Sequence, residues 1–225
     1  MAIISILNQK GGVGKTTLSI HLTHALQLQG ANAVLVDSDP QGSTRDWLAI
    51  NENPIVPVVS VDRPTTEIDL IERDIKSIAQ QKDFIIVDGA PRHYEIMVAV
   101  LKASDCVIIP VQPSPVDVWA TLDLIELVKQ RVEATNGKLK AAFVITLAMK
   151  GTTLGPDILK AVSRFDFPVF KTLITRRVIY PKVANNGTTV LDQDPKGEAA
   201  KEIKSFTNEV LELLDEKRQN NAIQV

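Results

Sequence analysis

Residues 3–17 read Ile-Ile-Ser-Ile-Leu-Asn-Gln-Lys-Gly-Gly-Val-Gly-Lys-Thr-Thr, and this stretch decides the fold. An apolar run is followed by a glycine-rich turn, and helical spacing begins at Lys15. That order is typical of a strand that leads into a phosphate-binding loop and a helix. The glycines let backbone N–H groups approach an anion closely, and the helix N-terminus adds partial positive charge. The pattern therefore predicts a nucleotide phosphate site at residues 10–17.

The polar side chains of this loop suit phosphate and a divalent cation. Lys15 would place a charge beside the β- and γ-phosphates, and the Thr16 hydroxyl would ligate Mg²⁺. A chance glycine-rich turn would not carry two lysines and a threonine pair at this spacing. We expect the nucleotide to be bound by Lys10, Gly11, Gly12, Val13, Gly14, Lys15, Thr16 and Thr17.

The loop also departs from the usual pattern G-x-x-x-x-G-K-[ST]. Position 9 is Gln9 instead of glycine, and a second lysine, Lys10, precedes the first glycine of the loop. This arrangement resembles the deviant Walker A box of the ParA/MinD superfamily of ATPases. The resemblance implies that Lys10 reaches the partner's nucleotide across a dimer interface, with two ATP molecules sandwiched between the subunits. The alternative for Lys10 is a solvated surface lysine.

Composition restricts the class of protein. The chain has 225 residues, which suits one α/β domain, and we expect residues 1–225 to form a single ParA-type ATPase domain. A net charge of −2 argues against a globally basic DNA-coating protein but allows a local basic patch. The only cysteine, Cys106, is expected to be a buried apolar residue. A single cysteine excludes an intrachain disulfide and a Cys-x-x-Cys metal site.

Short apolar runs alternate with helical patterns along the whole chain. The runs cover residues 2–7, 33–36, 57–61, 84–87, 106–110, 141–147 and 169–174. Helical spacing covers 15–29, 66–80, 93–103, 115–134 and 153–164. Continuous apolar strands are typical of a parallel sheet buried on both faces. We therefore predict a doubly wound α/β fold whose mostly parallel sheet is flanked by helices, as in P-loop NTPases of the deviant Walker type.

Carboxylates follow two of the predicted strands. The second run leads into Asp37-Ser38-Asp39-Pro40-Gln41, and the fourth run ends at Asp88. Ligands of α/β sheets lie at the carboxyl ends of the strands, so these acids should lie beside the loop. The ParA resemblance implies that Asp39 positions or activates the attacking water and helps to hold Mg²⁺. Asp88 has the Walker B position, which would make Thr16, Asp39 and Asp88 the metal-binding residues and Lys10, Lys15 and Asp39 the catalytic ones.

The C-terminal third carries a local excess of positive charge. In ParA proteins the corresponding region binds DNA without sequence preference, so we assign DNA contacts to Lys171, Arg176, Arg177 and Lys182. A solvated charged face is the equally weighted alternative. The last helix, expected from about 196 to 218, has an apolar stripe that ends at Leu214 and a polar tail, which favours core packing over membrane binding.

The sequence predicts a small ParA-type partition ATPase. It would bind Mg-ATP, form a homodimer, bind nonspecific double-stranded DNA on the nucleoid in the cytoplasm, and release it when a ParB-like centromere-binding protein or cargo adaptor stimulates hydrolysis. Small plasmid ParA proteins such as ParF show the strongest resemblance. A MinD-like membrane-cycling regulator, which the polar tail disfavours, and a P-loop metabolic enzyme of the dethiobiotin synthetase type are the alternatives. A nitrogenase-type reductase lacks the necessary cysteines.

Overall fold

The computed structural model describes residues 1–61, 68–79, 81–91, 93–149 and 161–222. The strands are β1 (Ala2–Ile6), β2 (Ala33–Asp37), β3 (Val58–Ser60), β4 (Phe84–Asp88), β5 (Cys106–Val111), β6 (Lys140–Ala148) and β7 (Val169–Thr175). The helices are α1 (Lys15–Leu28), α2 (Ser43–Ala49), α3 (Ile68–Ala79), α4 (Tyr94–Ala103), α5 (Pro115–Trp119), α6 (Leu122–Ala134), α7 (Ile179–Asn185), α8 (Val190–Gln193) and α9 (Glu198–Ala222).

The strands form one parallel sheet in the order β3-β2-β4-β1-β5-β6-β7. This confirms the predicted α/β fold and all seven strand positions. The register places Ile6 of β1 opposite Asp88 of β4, and Asp88 opposite Asp37 of β2. The phosphate loop and both acidic strand ends therefore meet at the carboxyl edge of the sheet.

Helices cover both faces of the sheet and create two apolar layers. One layer contains side chains of α3, α4 and α6, and the other contains side chains of α1 and α9. Cys106 is buried, as its position in an apolar run predicts. Burial on both faces explains why the strands read as continuous apolar runs instead of alternating with polar residues.

Helix α9 is fixed to the outer edge of the sheet. Its stripe of apolar residues is buried in the core, which confirms the core-packing interpretation: Ile203, Phe206, Val210, Leu213 and Leu214. Glu209 accepts hydrogen bonds from the backbone N–H groups of Lys171 and Thr172, and Glu202 accepts one from Thr175. These carboxylates satisfy donors that an edge strand would otherwise expose.

Helices differ from their predicted limits at several points. The pattern over 115–134 is divided into α5 and α6 at residues 120–121, where the buried Thr121 hydroxyl accepts a hydrogen bond from Asn8. The short helices α2, α7 and α8 were not predicted. Residues 153–160 of the predicted helix 153–164 lie outside the described residues. Among the helices that are described, none combines the length and apolar composition needed to cross a bilayer.

Candidate nucleotide-binding site

The glycine-rich loop leads from β1 into α1 at the carboxyl edge of the sheet. Gly12 and Gly14 have φ angles of 73° and 91°, a region that favours glycine, and Gly14 is the N-cap of α1. The Thr146 hydroxyl at the end of β6 donates to the Val13 carbonyl oxygen at 2.8 Å. The loop is thereby held open around a cavity of about 1230 Å³, which Gly11, Gly12, Gly14, Lys15, Thr16 and Thr17 line.

Lys15 is a buried cation at the floor of this cavity. Its Nζ atom donates to the Lys10 carbonyl oxygen at 2.9 Å, and only 7 % of the residue is exposed. Burial lowers the pKa of Lys15, while the negative charges of Asp88 and Asp39 oppose this shift. A polyanion in the cavity would restore favourable electrostatics for the ammonium group. The geometry suits the phosphate-binding role predicted for Lys15.

Asp88 is buried behind the loop and accepts three hydroxyl hydrogen bonds. Its Oδ2 atom accepts from Thr16 at 2.7 Å and from Thr44 at 2.6 Å, and its Oδ1 atom accepts from Ser19 at 3.4 Å. Burial raises the pKa of Asp88 to about 6, and the hydrogen bonds from Thr44 and Thr16 limit that rise. A nearby cation would relieve the cost of the buried negative charge.

The donor set fits Mg²⁺ bound together with a nucleotide. The described residues contain no cluster of three or more His, Cys, Asp or Glu side chains that could cage a metal alone. Mg²⁺ is commonly held by one or two carboxylates together with substrate phosphates and water. Thr16 and Asp88, joined by a hydrogen bond beside the phosphate loop, supply that kind of incomplete site.

The acidic turn after β2 forms another wall of the cavity. Asp39 lines the cavity, and its Oδ1 atom accepts a hydrogen bond from the Gln41 N–H at 3.0 Å. Asp37 is fully buried, accepts from the Asp39 N–H at 3.0 Å and lies 3.3 Å from the Arg45 guanidinium. Asp37 therefore supports the turn that presents Asp39 to the cavity, as its sequence position indicates.

Lys10 lies at the mouth of the loop and is paired within its own chain. Its ammonium group forms an ion pair and hydrogen bond with Asp117 of α5, and the Lys10 side chain remains 37 % exposed. Three further contacts join the loop to the segment around α5. Asn8 donates to the Pro110 carbonyl oxygen and to the Thr121 hydroxyl, and Gln112 donates to the Gly12 carbonyl oxygen. No local sequence pattern identified Asp117 as the partner of Lys10.

The structure does not gather the four cations assigned to DNA into one cluster. Arg176 and Arg177 line the rim of the cavity, and Arg177 forms an ion pair with Glu202 at 2.6 Å. Hydrogen bonding to Glu202 raises the pKa of Arg177. Lys182 is exposed on α7, and Lys171 is exposed five residues before Arg176, about 16 Å along an extended strand. Arg177 is therefore the least available of the four for a phosphate contact.

Several residues at or near the cavity were not recognised in the sequence. The Thr44 hydroxyl donates a hydrogen bond to Asp88, while Trp47 of α2 and Tyr180 of α7 line the cavity. These residues lie on helices of seven residues each, which are too short for a periodic signal. The one available clue for Thr44 was its position shortly after the acidic turn.

Comparison with known proteins yields relatives that span more than nine-tenths of the chain. It is 32% identical over 213 residues to Maintenance of carboxysome distribution protein A of Halothiobacillus neapolitanus, covering 92% of this chain and 95% of that protein. It is 29% identical to the Sporulation initiation inhibitor protein Soj of Bacillus subtilis, covering 92% and 97%.

A solved structure shows the same fold. The cobyrinic acid a,c-diamide synthase of Mycobacterium smegmatis, with a bound ATP analog and magnesium, superposes with a TM-score of 0.74 at 22% identity and covers 94% of each chain. The family model for the CobQ/CobB/MinD/ParA nucleotide binding domain matches residues 4–190, which include the loop, the acidic turn, Asp88 and the Tyr180 wall. The chain therefore belongs to the CobQ/CobB/MinD/ParA family, whose ParA/MinD branch its doubled-lysine loop resembles.

Proposed function

We propose that this protein is a ParA-type ATPase that distributes a cargo in the cell. It binds Mg-ATP in the cavity, forms a homodimer around two nucleotides and binds double-stranded DNA nonspecifically in that state. A ParB-like partner or cargo adaptor stimulates hydrolysis and returns the protein to the monomer. The observation that carries this proposal is the pair of lysines at one loop. Lys15 is buried below the phosphates, whereas Lys10 lies half-exposed at the mouth, where a second subunit can meet it.

Different residues around the cavity have different roles in hydrolysis. The backbone N–H groups of the loop and Lys15 bind and orient the phosphates, and Thr16 and Asp88 hold the cation. Magnesium held there would neutralise charge that develops on the phosphate oxygens. Asp39, fixed by its turn on the other side of the cavity, orients the attacking water. Lys10 of the partner subunit would complete the charge around the phosphates.

Asp39→Ala should separate binding from hydrolysis. The variant should bind ATP as the wild type does, because the loop and Asp88 are unchanged. Single-turnover hydrolysis should fall by about tenfold or more, because the water loses its orienting carboxylate. The ATP-bound dimer should accumulate and be visible by light scattering. Asp46→Ala, an exposed acid in the first turn of α2, is the matched control. Unchanged turnover in Asp39→Ala would remove Asp39 from the mechanism.

The exposed cations of β7 and α7 are the residues that we propose for DNA binding. Phosphate contacts by lysine and arginine release counterions, so such binding is independent of sequence and weakens as salt rises. Lys171 and Lys182 are exposed, whereas Arg177 is engaged by Glu202 and Arg176 borders the nucleotide. Dimerisation would present this set of cations twice on one assembly, which makes a weak monomer surface dependent on ATP.

Binding of double-stranded DNA, measured across a series of salt concentrations, tests this proposal. Double-stranded DNA binding should appear with ATP and be absent with ADP or without nucleotide. Lys171→Glu combined with Lys182→Glu should weaken binding to all sequences by about tenfold or more and reduce the salt slope by about one for each lost contact. Lys82→Glu with Lys138→Glu carries the same charge change at the opposite edge of the sheet. If both pairs behave alike, DNA contacts lie elsewhere; if the wild type binds no DNA in any state, the DNA switch is refuted.

Separate observations bear on the kind of cargo and on the two alternative functions. The relative named for carboxysome distribution supports a protein-borne cargo as well as a plasmid. A MinD-like cycle would use a C-terminal helix with a free apolar face, but the apolar residues of α9 through Leu214 are buried in the core. A metabolic enzyme with this fold would have no need of a second lysine at the mouth of the loop. We therefore favour cargo distribution over both.

A further inference from the structure

We propose that His21 is a positioning residue for the nucleoside half of the bound nucleotide. Its ring packs against Trp47 and Tyr180, two residues that line the cavity, and holds them against the helix that the loop begins. This inference rests on the proposed function, because it assigns a role within the same ATP site. The proposed role of His21 determines how strongly the site prefers a nucleoside triphosphate over an inorganic polyphosphate.

The hydrogen bonds of His21 fix its tautomer. The Val190 N–H, at the start of α8, donates to His21 Nε2 at 3.1 Å. Nε2 must therefore be the unprotonated nitrogen, so Nδ1 carries the hydrogen and donates to the Thr17 carbonyl oxygen at 2.7 Å. The residue is fully buried, and burial lowers the pKa of His21 to about 4, which keeps the ring neutral. One imidazole thus joins the first turn of α1 to α8.

The same ring supports two aromatic side chains of the cavity. It makes edge contacts with Trp47 of α2, at a centroid distance of 5.9 Å, and with Tyr180 of α7, at 5.5 Å. The Trp47 indole N–H donates to the Thr188 carbonyl oxygen at 3.0 Å, which anchors α2 to the turn before α8. His21, a residue of α1, therefore contacts α2, α7 and α8.

The cavity lining combines two sets of residues with different chemistry. The phosphate loop, with Lys15 and Thr16, forms the polar set, and Trp47, Tyr180 and Pro181 belong to the aromatic and apolar set. A volume of about 1230 Å³ is far more than a triphosphate needs, and aromatic and apolar walls suit a base or ribose. Because His21 bonds to Thr17 of the loop helix and packs against Trp47 and Tyr180, it connects the two sets.

The test compares two variants of His21 on two ligands. His21→Gln can still donate to Thr17 and accept from Val190, whereas His21→Leu fills the space and does neither. His24→Leu is the control, because His24 is a buried histidine of the same helix that bonds to Thr189 and has no ring contact with Trp47 or Tyr180. Isothermal titration calorimetry with Mg²⁺ measures the affinity of each folded protein for ATP and for inorganic tripolyphosphate, which lacks a nucleoside.

We expect His21→Leu to bind ATP about tenfold more weakly than the wild type while its tripolyphosphate affinity stays within about twofold. His21→Gln should recover most of the ATP affinity, and His24→Leu should preserve the ratio between the two ligands. Equal losses for both ligands in His21→Leu would indicate a merely structural role and overturn the proposal. Unchanged affinities would overturn it too.

A second variant covers the case in which His21→Leu does not fold. Trp47→Leu removes part of the wall at a half-buried position and leaves both hydrogen bonds of His21 intact. Selective weakening of ATP supports the positioning role, and wild-type behaviour contradicts it. Failure of the proposed function gives a different result, because the wild type itself would then show no preference for ATP over tripolyphosphate.

Discussion

Asp88→Asn should make the nucleotide-free protein more stable and nearly abolish its magnesium-dependent hydrolysis of ATP. The asparagine side chain has the same shape, and its oxygen can still accept hydrogen bonds from Thr16 and Thr44. It removes, however, a negative charge that is almost completely buried. Burial raises the pKa of Asp88 from 3.8 to about 6, so ionised Asp88 costs the folded state about 2–3 kcal/mol at neutral pH.

The stabilisation should depend on pH in a defined direction. The folded pKa of Asp88 lies above the unfolded one, so the folded wild type takes up its proton first as the pH falls. The advantage of Asp88→Asn is therefore fully present above about pH 6 and fades between pH 6 and 3.8. Chemical denaturation without nucleotide at pH 5 and pH 8 measures this difference. A variant that is less stable than the wild type at pH 8 would contradict this expectation.

The same substitution should remove the benefit of magnesium. We expect single-turnover hydrolysis to fall by about 100-fold or more, because about 2.7 kcal/mol of transition-state stabilisation is lost with the cation. The thermal shift that Mg²⁺ adds to ATP should also disappear. Asp83→Asn, the same change just before the opposite end of β4, is the control and should alter neither property. Magnesium-dependent hydrolysis at the wild-type rate in Asp88→Asn would exclude Asp88 from the metal site.

Lys10→Ala and Asp117→Asn should shift the ATP-dependent dimer in opposite directions. Lys10→Ala removes the cation proposed to reach the partner's phosphates, so it should bind ATP yet remain a monomer. In Asp117→Asn the lysine loses its ion pair and is free for the partner. A half-exposed pair of this kind is worth at most about 1 kcal/mol in each subunit, and a dimer involves two such pairs, so the dimer dissociation constant should fall by up to about 30-fold.

Sedimentation velocity with ATP, on the non-hydrolysing Asp39→Ala background, separates these outcomes. Lys138→Ala, which removes an exposed lysine from the loop before β6, should leave the dimer unchanged. A dimer that persists in Lys10→Ala would refute the cross-subunit role. If Asp117→Asn behaves like the wild type, the ion pair within the monomer does not oppose dimerisation. Both variants must still bind ATP for their dimer formation to be compared.

Much of the fold could be predicted from local patterns. The apolar runs located all seven strands, and their continuous character indicated a parallel sheet with two covered faces. Helix limits were less accurate where the backbone responds to distant contacts. The helical region after β5 is divided at Thr121, whose hydroxyl accepts a hydrogen bond from Asn8 in the loop after β1.

The candidate site was also only partly predictable from the sequence. The phosphate loop and Asp88 stand out because glycine spacing and a strand-end carboxylate are local features, and sheet topology brings such ends together. Thr44, Asp117 and His21 could not be assigned from the sequence. Thr44 contacts Asp88 across 44 residues, and Lys10 contacts Asp117 across 107. Nothing in a single sequence marks which threonine or aspartate will meet a given partner.

The sequence by itself determined the ligand class, the sheet and the core position of the last helix, because each depends on spacing within one or two turns or strands. Tertiary structure alone decided that Lys10 rests on Asp117, that Arg177 is engaged by Glu202 and that His21 connects four helices. Those contacts join residues far apart in the chain. Their geometry follows from how the layers pack, and packing distances are a property of the whole fold and not of any segment.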